Sequence, residues 1–466
     1  MGTARRGGSW LALVPLLVGT FTGTVNNAIV NVPMADILAS LDVPLRYGAL
    51  VVVAFNLSFA VLMPLSGWVG DRIGRRRLFC IAMATLAVSA VGCAFAPNLA
   101  VLVGFRVVQG AATAAVLPGV MSLIASMFDV DSRGRALGWW AAVNGAGQAV
   151  GPALGGLLAG WVGWRTVFWP AVPLALLAWG MTLWLVPRDE RRPVPLEWRG
   201  AVLLTVSAGL FLGAASAVAP LGASSPVVWG GALLGLLGAV GFVLVERGRR
   251  DAFLPPGLLL EPRYLRSSLG VVAQMFCLGA TLLGLPLYLV SRHGVSTATA
   301  GLLVLALPLT MAVLAPLAGV ATERLSPRGA LRWGLAVLMV GQVALALLLA
   351  AGRSPDVWLV AVLVVVGAGV AFVQTPAATG ATRSRAGRRG AGLGLFNLLR
   401  FGGSALGASW VAAIVGSSGA GSVYGVVFGV CAAVALLGLV ATFAGDEARN
   451  TGSASEAGSV AEVSAR

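Results

Sequence analysis

The chain has 466 residues, 58% of them hydrophobic and 11% charged, with a mean hydropathy of +0.91, whereas a soluble domain carries about 25% charged residues. That composition excludes an ordinary soluble protein, and at ~20 apolar residues per membrane span the helices it can build leave no room for a separate soluble enzyme domain. The net charge of +15 comes from 32 basic and 17 acidic residues, every basic one an arginine, so the position of those arginines decides between nucleic-acid binding and membrane topology.

In chain order, uncharged stretches at 7–35, 47–70, 78–105, 107–128, 136–164 and 166–187 each hold one spanning helix. The stretch 200–245 is interrupted by Pro220, Gly222, Ser224, Ser225 and Pro226 and reads as two helices. Further spans follow at 267–291, 293–322, 333–352 and 357–382, and 401–445 splits near Gly416 to Gly421, its first helix beginning near Gly392 and carrying Arg400. The expectation is an all-α membrane protein of fourteen helices. The first span follows Arg5 and Arg6 but is too long for a secretory signal and lacks a small-residue cleavage site.

An even count puts both termini on one side. With that side cytoplasmic, 26 arginines fall in inner segments, Arg46, Arg165, Arg292 and Arg353 in outer loops, and Arg106 and Arg400 within helices. The positive-inside rule is obeyed in every loop pair. Trp10, Trp68, Trp161, Trp164, Trp198, Trp229, Trp333 and Trp358 stand near span ends as an aromatic belt would. The basic charge is therefore topological, and no nucleic-acid partner is expected. Cys80, Cys93, Cys277 and Cys431 lie within helices without ligand spacing, and His293 is a lone histidine in an outer loop. No catalytic residue, metal site or cofactor is expected.

Two segments recur about 255 residues apart. Gly67-x-x-x-Asp71-Arg72-x-Gly74-Arg75-Arg76-Arg77 has a weaker copy in Gly319-x-x-x-Glu323-Arg324, and Arg133-Gly134-Arg135-Ala136-Leu137-Gly138 has a copy in Arg389-Gly390-Ala391-Gly392-Leu393-Gly394. A six-helix unit repeated in parallel, with two helices inserted between the copies, accounts for the offset. The expected division is 1–186, an inserted segment 187–266, a second half 267–444 and a disordered cytoplasmic tail 445–466.

Arg106-Val107-Val108-Gln109-Gly110 on helix four and Gly147-x-x-x-Gly151-Pro152-x-x-Gly155-Gly156 on helix five complete the set, with Gly163-Trp164-Arg165-Thr166-Val167-Phe168 and Arg400-Phe401-Gly402-Gly403. Together these resemble the major facilitator superfamily, and within it the fourteen-helix drug:proton antiporters. The resemblance covers residues 10 to about 444 and implies export of small molecules by alternating access, with the Asp71 motif stabilising the outward-facing state.

The residues carry physical readings of their own. Gly67, Asp71, Arg72, Gly74, Arg75 and Arg76 sit at a helix junction where charge pairs between halves would latch an inner gate. Arg106 lies roughly 12 Å deep, where a guanidinium is costly and functional by default, and Gln109 shares its helix face. Gly147, Gly151 and Gly155 recur every four residues as a flat ridge beside Pro152 and Gly156, suited to a close helix crossing.

The family's helix-one acid is replaced here by Asn26, ahead of Ile29-Val30-Asn31-Val32, and no carboxylate occupies a predicted membrane interior. Asn26 accepts a hydrogen bond from Arg106 in this reading but does not titrate near neutrality. Asp36, at the outer end of helix one, is the remaining proton carrier and pairs with Arg106. The cavity is expected to offer Asn26, Asn27, Asn31, Asn144, Gln148, Gln274, Gln374, Asn397 and Arg400 among apolar walls, which suits neutral, zwitterionic or anionic compounds. The reading is a monomeric inner-membrane exporter of hydrophobic or amphipathic molecules, proton-coupled as the resemblance implies. The alternatives are a uniporter or importer without proton coupling and a non-transporting sensor or scaffold.

Overall fold

The computed structural model describes residues 10–44, 48–188, 198–249, 252–352, 357–417 and 423–444. Arg5, Arg6, Arg46, Arg353, Asp356 and the tail beyond 444 lie outside the described residues. The described residues form α1 (Trp10–Ala28), α2 (Met34–Ser40), α3 (Gly48–Ile73), α4 (Arg75–Ala94), α5 (Leu99–Met127), α6 (Val130–Val162) and α7 (Ala171–Leu185). A pair follows, α8 (Trp198–Leu221) and α9 (Pro226–Glu246), then the single turn α10 (Pro256–Leu259). The rest are α11 (Pro262–His293), α12 (Thr297–Val304), α13 (Ala306–Leu325), α14 (Pro327–Ala350), α15 (Val357–Arg383), α16 (Gly390–Ser417) and α17 (Val423–Ala441).

Local chemistry sets the breaks. Gly74, at φ 101°, separates α3 from α4, a conformation that a side chain would strain. Asn98 starts α5 by accepting the Val101 N–H at 3.0 Å, and Ser326 starts α14 through the Gly329 N–H. Among the described residues, twelve helices are long and apolar enough to cross a membrane, thirteen if α3, bent by 50° between Leu50–Val61 and Met63–Ile73, is one span. The expected fourteenth is α6, whose 33 residues exceed the length required but whose Asn144, Gln148 and glycines dilute its apolarity.

The helices pack as two bundles, α1 and α3–α7 against α11–α17, with α8 lying against both α3 and α16 and α9 lying on α8. Close packing between bundles joins α3 to α16 and α6 to α13. Small residues permit it: Cβ atoms added at Gly67 and Gly390 would each overlap the other's backbone, and at Gly394 the carbonyl of Met63. On the second seam Gly134 and Gly138 meet Gly319 and Ala315 in the same way. Both seams lie at the helix ends that carry the arginine-rich loops, here called the basic face.

Two expectations need correction. The stretch 7–35 is not one helix: α1 stops at Ala28, and Asp36 sits on the separate, short α2, exposed. The tryptophan belt holds for Trp10, Trp161, Trp198, Trp229, Trp333 and Trp358, which are exposed, but Trp68 and Trp164 are buried. Both are cation-stacked, by Arg72 at 5.5 Å and Arg165 at 4.3 Å, so their rings serve interior packing and not the lipid interface.

Candidate functional site

Between the two bundles lies a cavity of about 390 Å³, walled by α1, α3, α5, α6, α11 and α16, with Leu212, Ala215 and Ser216 of α8. Its polar groups are mainly Asn27, Asn56, Asn144 and Gln148, set among Leu57, Leu117, Met275 and Leu278. Asn27 Nδ2 donates to Asn56 Oδ1 at 2.8 Å, tying α1 to α3 at the wall. The Asn144 and Gln148 amides donate to carbonyls one turn back on α6, at 3.1 and 3.4 Å, which leaves their oxygens for other partners. Toward the basic face the cavity is floored by Phe59 and Phe401, edge-to-face at 4.6 Å across the bundles.

Of the residues expected to line it, Asn27, Asn144 and Gln148 do; Asn26, Asn31, Gln274, Gln374, Asn397 and Arg400 do not. Asn31 falls past the end of α1 in an exposed turn, so it does not share a helix face with Asn27. Asn26, Gln274, Gln374, Asn397 and Arg400 are buried in the protein instead. Asn56 was missed by sequence reasoning, although its amide in the middle of the apolar run Val51-Val52-Val53-Ala54-Phe55-Asn56-Leu57 is a visible signal.

Below the floor the bundles are latched. Asp71 Oδ1 accepts from Arg75 Nη2 at 2.9 Å and Nε at 3.1 Å, while Oδ2 accepts the backbone N–H of Gly390, the first residue of α16 in the other bundle. A carboxylate at a helix N-terminus is favoured by the free N–H groups and the helix dipole. The repeat performs the reciprocal act: Glu323 of α13 accepts the Arg135 N–H of α6 and pairs with Arg135 Nε, both at 3.0 Å. Arg72 lies over the Trp68 ring and Arg76 Nη2 donates to the Leu183 carbonyl at 2.7 Å, both contacts within the first bundle.

Arg106 is fully buried. It donates to the Asn26 and Val51 carbonyls at 3.0 and 3.3 Å and to Gln109 Oε1 at 3.0 Å, and it lies over Phe55 at 4.2 Å. The Asn26 partner is thus the backbone and not the side-chain amide, and Asp36 forms no ion pair with Arg106. Arg400 is as deeply buried, stacked on Trp140 at 5.2 Å and Phe401 at 5.1 Å, with Nε and Nη1 lacking hydrogen-bond partners. The α6 ridge packs on α1 and the turn that follows it: Gly147 meets Thr24 and Gly151 meets Ala28 on the helix, while Gly155 meets the Ile29 carbonyl and Gly156 meets Val32 beyond its end. Pro152 lies inside the same helix.

Two helical bundles closed at one face around a largely apolar central cavity that carries a few amides define a multi-pass membrane transporter of small molecules. The sequence matches the Major Facilitator Superfamily over residues 16–408 and again over 267–465, and the chain belongs to that family. It is 31% identical over 423 residues to the puromycin resistance protein pur8 of Streptomyces alboniger, covering 89% of this chain and 83% of that one. It is 30% identical over 404 residues to the multidrug resistance protein Stp of Mycobacterium tuberculosis, covering 85% and 74%. The structure of the human organic anion transporter MFSD10 superposes with a TM-score of 0.68 over 95% of this chain and 100% of that one, at 16% identity, a likeness of fold alone.

Proposed function

We propose that the protein exports hydrophobic or amphipathic small molecules, drugs or secondary metabolites among them, across the cell membrane as a monomer, with its basic face cytoplasmic. The carrying observation is the cavity of about 390 Å³ between bundles that are latched at the basic face. The resistance functions for which pur8 and Stp are named support the direction. In this reading the amides of Asn27, Asn56, Asn144 and Gln148 orient a substrate whose apolar body packs on Leu117, Met275 and Phe401. Residues 1–186 and 267–444 are the moving halves, and the segment 187–266 carries the inserted pair. The chemistry is translocation, with no catalytic step.

Proton antiport is the drive that the family resemblance implies. A specific observation favours a second reading, facilitated diffusion or coupling to another gradient: no carboxylate lines the central cavity among the described residues. Efflux of a fluorescent substrate panel from cells expressing the protein, with and without a protonophore, tests both. Export abolished by protonophore supports antiport, and export that continues supports the second reading. Accumulation equal to that of vector-only cells for every compound would remove the export reading.

A further inference from the structure

One residue from the aromatic floor toward the basic face, Arg400 of α16 lies in the seam between the bundles. Its guanidinium stacks on Trp140 of α6, in the first bundle, at 5.2 Å and on its own neighbour Phe401 at 5.1 Å, and Trp140 is as fully buried as Arg400. One helical turn back, Asn397 reaches across the same seam, its Nδ2 donating to Met121 Sδ of α5 at 3.2 Å. Four buried polar atoms of this group have no hydrogen-bond partner: Nε and Nη1 of Arg400, Nε1 of Trp140 and Oδ1 of Asn397. Three of the four are N–H donors.

No carboxylate balances Arg400 among the described residues. The two acids on the seams are already paired, Asp71 with Arg75 and Glu323 with Arg135, and α5 and α16 hold no acidic residue. Asp71 meets α16 at Gly390, so Arg400 lies about 15 Å further along that helix, and Trp140 lies about 7.5 Å along α6 from Arg135. Stacking on aromatic rings offsets only part of the cost of taking a guanidinium out of water. Packing alone needs no charge at this position, since an apolar side chain of similar volume would fill it.

We infer that Arg400 recognises an oxyanion, a carboxylate or sulfonate, on an amphipathic substrate, and that it is reached from the basic face when the bundles part. Arg400 and Trp140 belong to opposite bundles, so separating α6 from α16 unstacks them and leaves the guanidinium and the indole N–H facing the opened path. An oxyanion there accepts from donors that have no partner in the closed form, and it neutralises the charge. As the seam closes, Trp140 returns to the guanidinium and displaces the anion. In the closed form the Phe59–Phe401 pair separates Arg400 from the central cavity, so a compound held there faces amides and apolar walls and not a cation. Affinity for the anion is thus high on the loading side and low on the release side, which biases the conformational equilibrium as binding proceeds. As the substrate class of the proposed exporter, this rests on the export reading.

The full-length protein in neutral detergent is titrated with two fluorescent probes that share one body, N-dansyl-leucine with its carboxylate and N-dansyl-leucinamide without it. Wild type is expected to bind the carboxylate more tightly by roughly tenfold to a hundredfold, the range for one hydrogen bond to a charged group. Arg400→Gln brings the carboxylate to the affinity of the amide and leaves the amide unchanged, while Arg400→Lys keeps part of the preference. Arg400→Met, which fills the space without the charge, unfolds at the wild-type temperature or above it. Spin labels on the basic-face ends of α3 and α16 move to longer distances on addition of the carboxylate and not of the amide. Equal affinity of wild type for the two probes, a preference that survives Arg400→Gln, a lowered unfolding midpoint for Arg400→Met, or label distances indifferent to the carboxylate overturns the proposal. Binding and distance are read without transport. If the anion preference holds while cells expressing the protein accumulate every compound as vector-only cells do, the export reading falls and the recognition residue stands.

Discussion

Asp71 is asked to hold two partners at once, Arg75 on its own side and the first N–H of α16 on the other. Asp71→Asn keeps the shape but loses the charge that both partners favour. At about 1.5–3 kcal/mol for a hydrogen bond to a charged group, the equilibrium shifts roughly tenfold to a hundredfold away from the latched state. Spin labels on the basic-face ends of α3 and α16 would report a larger population at long distance; an unchanged distance distribution would show the latch to be incidental. Gln109→Ala acts differently, by removing the one side-chain acceptor of a fully buried guanidinium. Its expected cost of about 1–3 kcal/mol appears as a lower unfolding midpoint in detergent. The sequence displays arginine and glutamine at one-turn spacing, so this pairing is legible there. The preference of Arg106 for backbone carbonyls over the Asn26 amide is not, because nothing in side-chain identity announces which main-chain oxygens a helix end leaves free.

Among elements, α6 shows how position decides the meaning of glycine. Gly151 and Gly155 face the end of α1 and the turn after it at distances that exclude any side chain, whereas Gly160, on the same helix, has open space around its Cβ position. Gly151→Ala is expected to lower stability by about 1–3 kcal/mol through overpacking, while Gly160→Ala is neutral or raises it by up to about 1 kcal/mol through helix propensity. Thermal unfolding of the two variants under identical conditions distinguishes an interface from composition; equal effects would mean the ridge makes no special fit with its neighbour. The four-residue spacing reveals the ridge in the sequence, but not that α1 is its partner. The end of α1 is hidden for a similar reason. An uncharged run to residue 35 cannot reveal that the helix stops at Ala28 and that α2 begins again at Met34, and that hidden break makes Asp36 look like a neighbour of Arg106.

At the scale of the whole molecule, the duplicated motifs foretell two halves, and the structure shows what the duplication accomplishes: each half presents a carboxylate to a helix of the other. The closed basic face depends on backbone meeting backbone at Gly67 and Gly390. Gly67→Leu is therefore expected to hold that face open and abolish transport while leaving each bundle folded. Label distances across the α3–α16 seam should increase, with helical content by circular dichroism unchanged; normal transport by this variant would mean that the seam need not close. The inserted pair breaks the symmetry of this plan. Since α8 covers the α3–α16 seam and supplies Leu212, Ala215 and Ser216 to the cavity wall, the two flanks of the transporter are not equivalent toward lipid. A compound dissolved in the bilayer therefore meets, on that flank, a helix laid over the junction of the two bundles and not the junction itself.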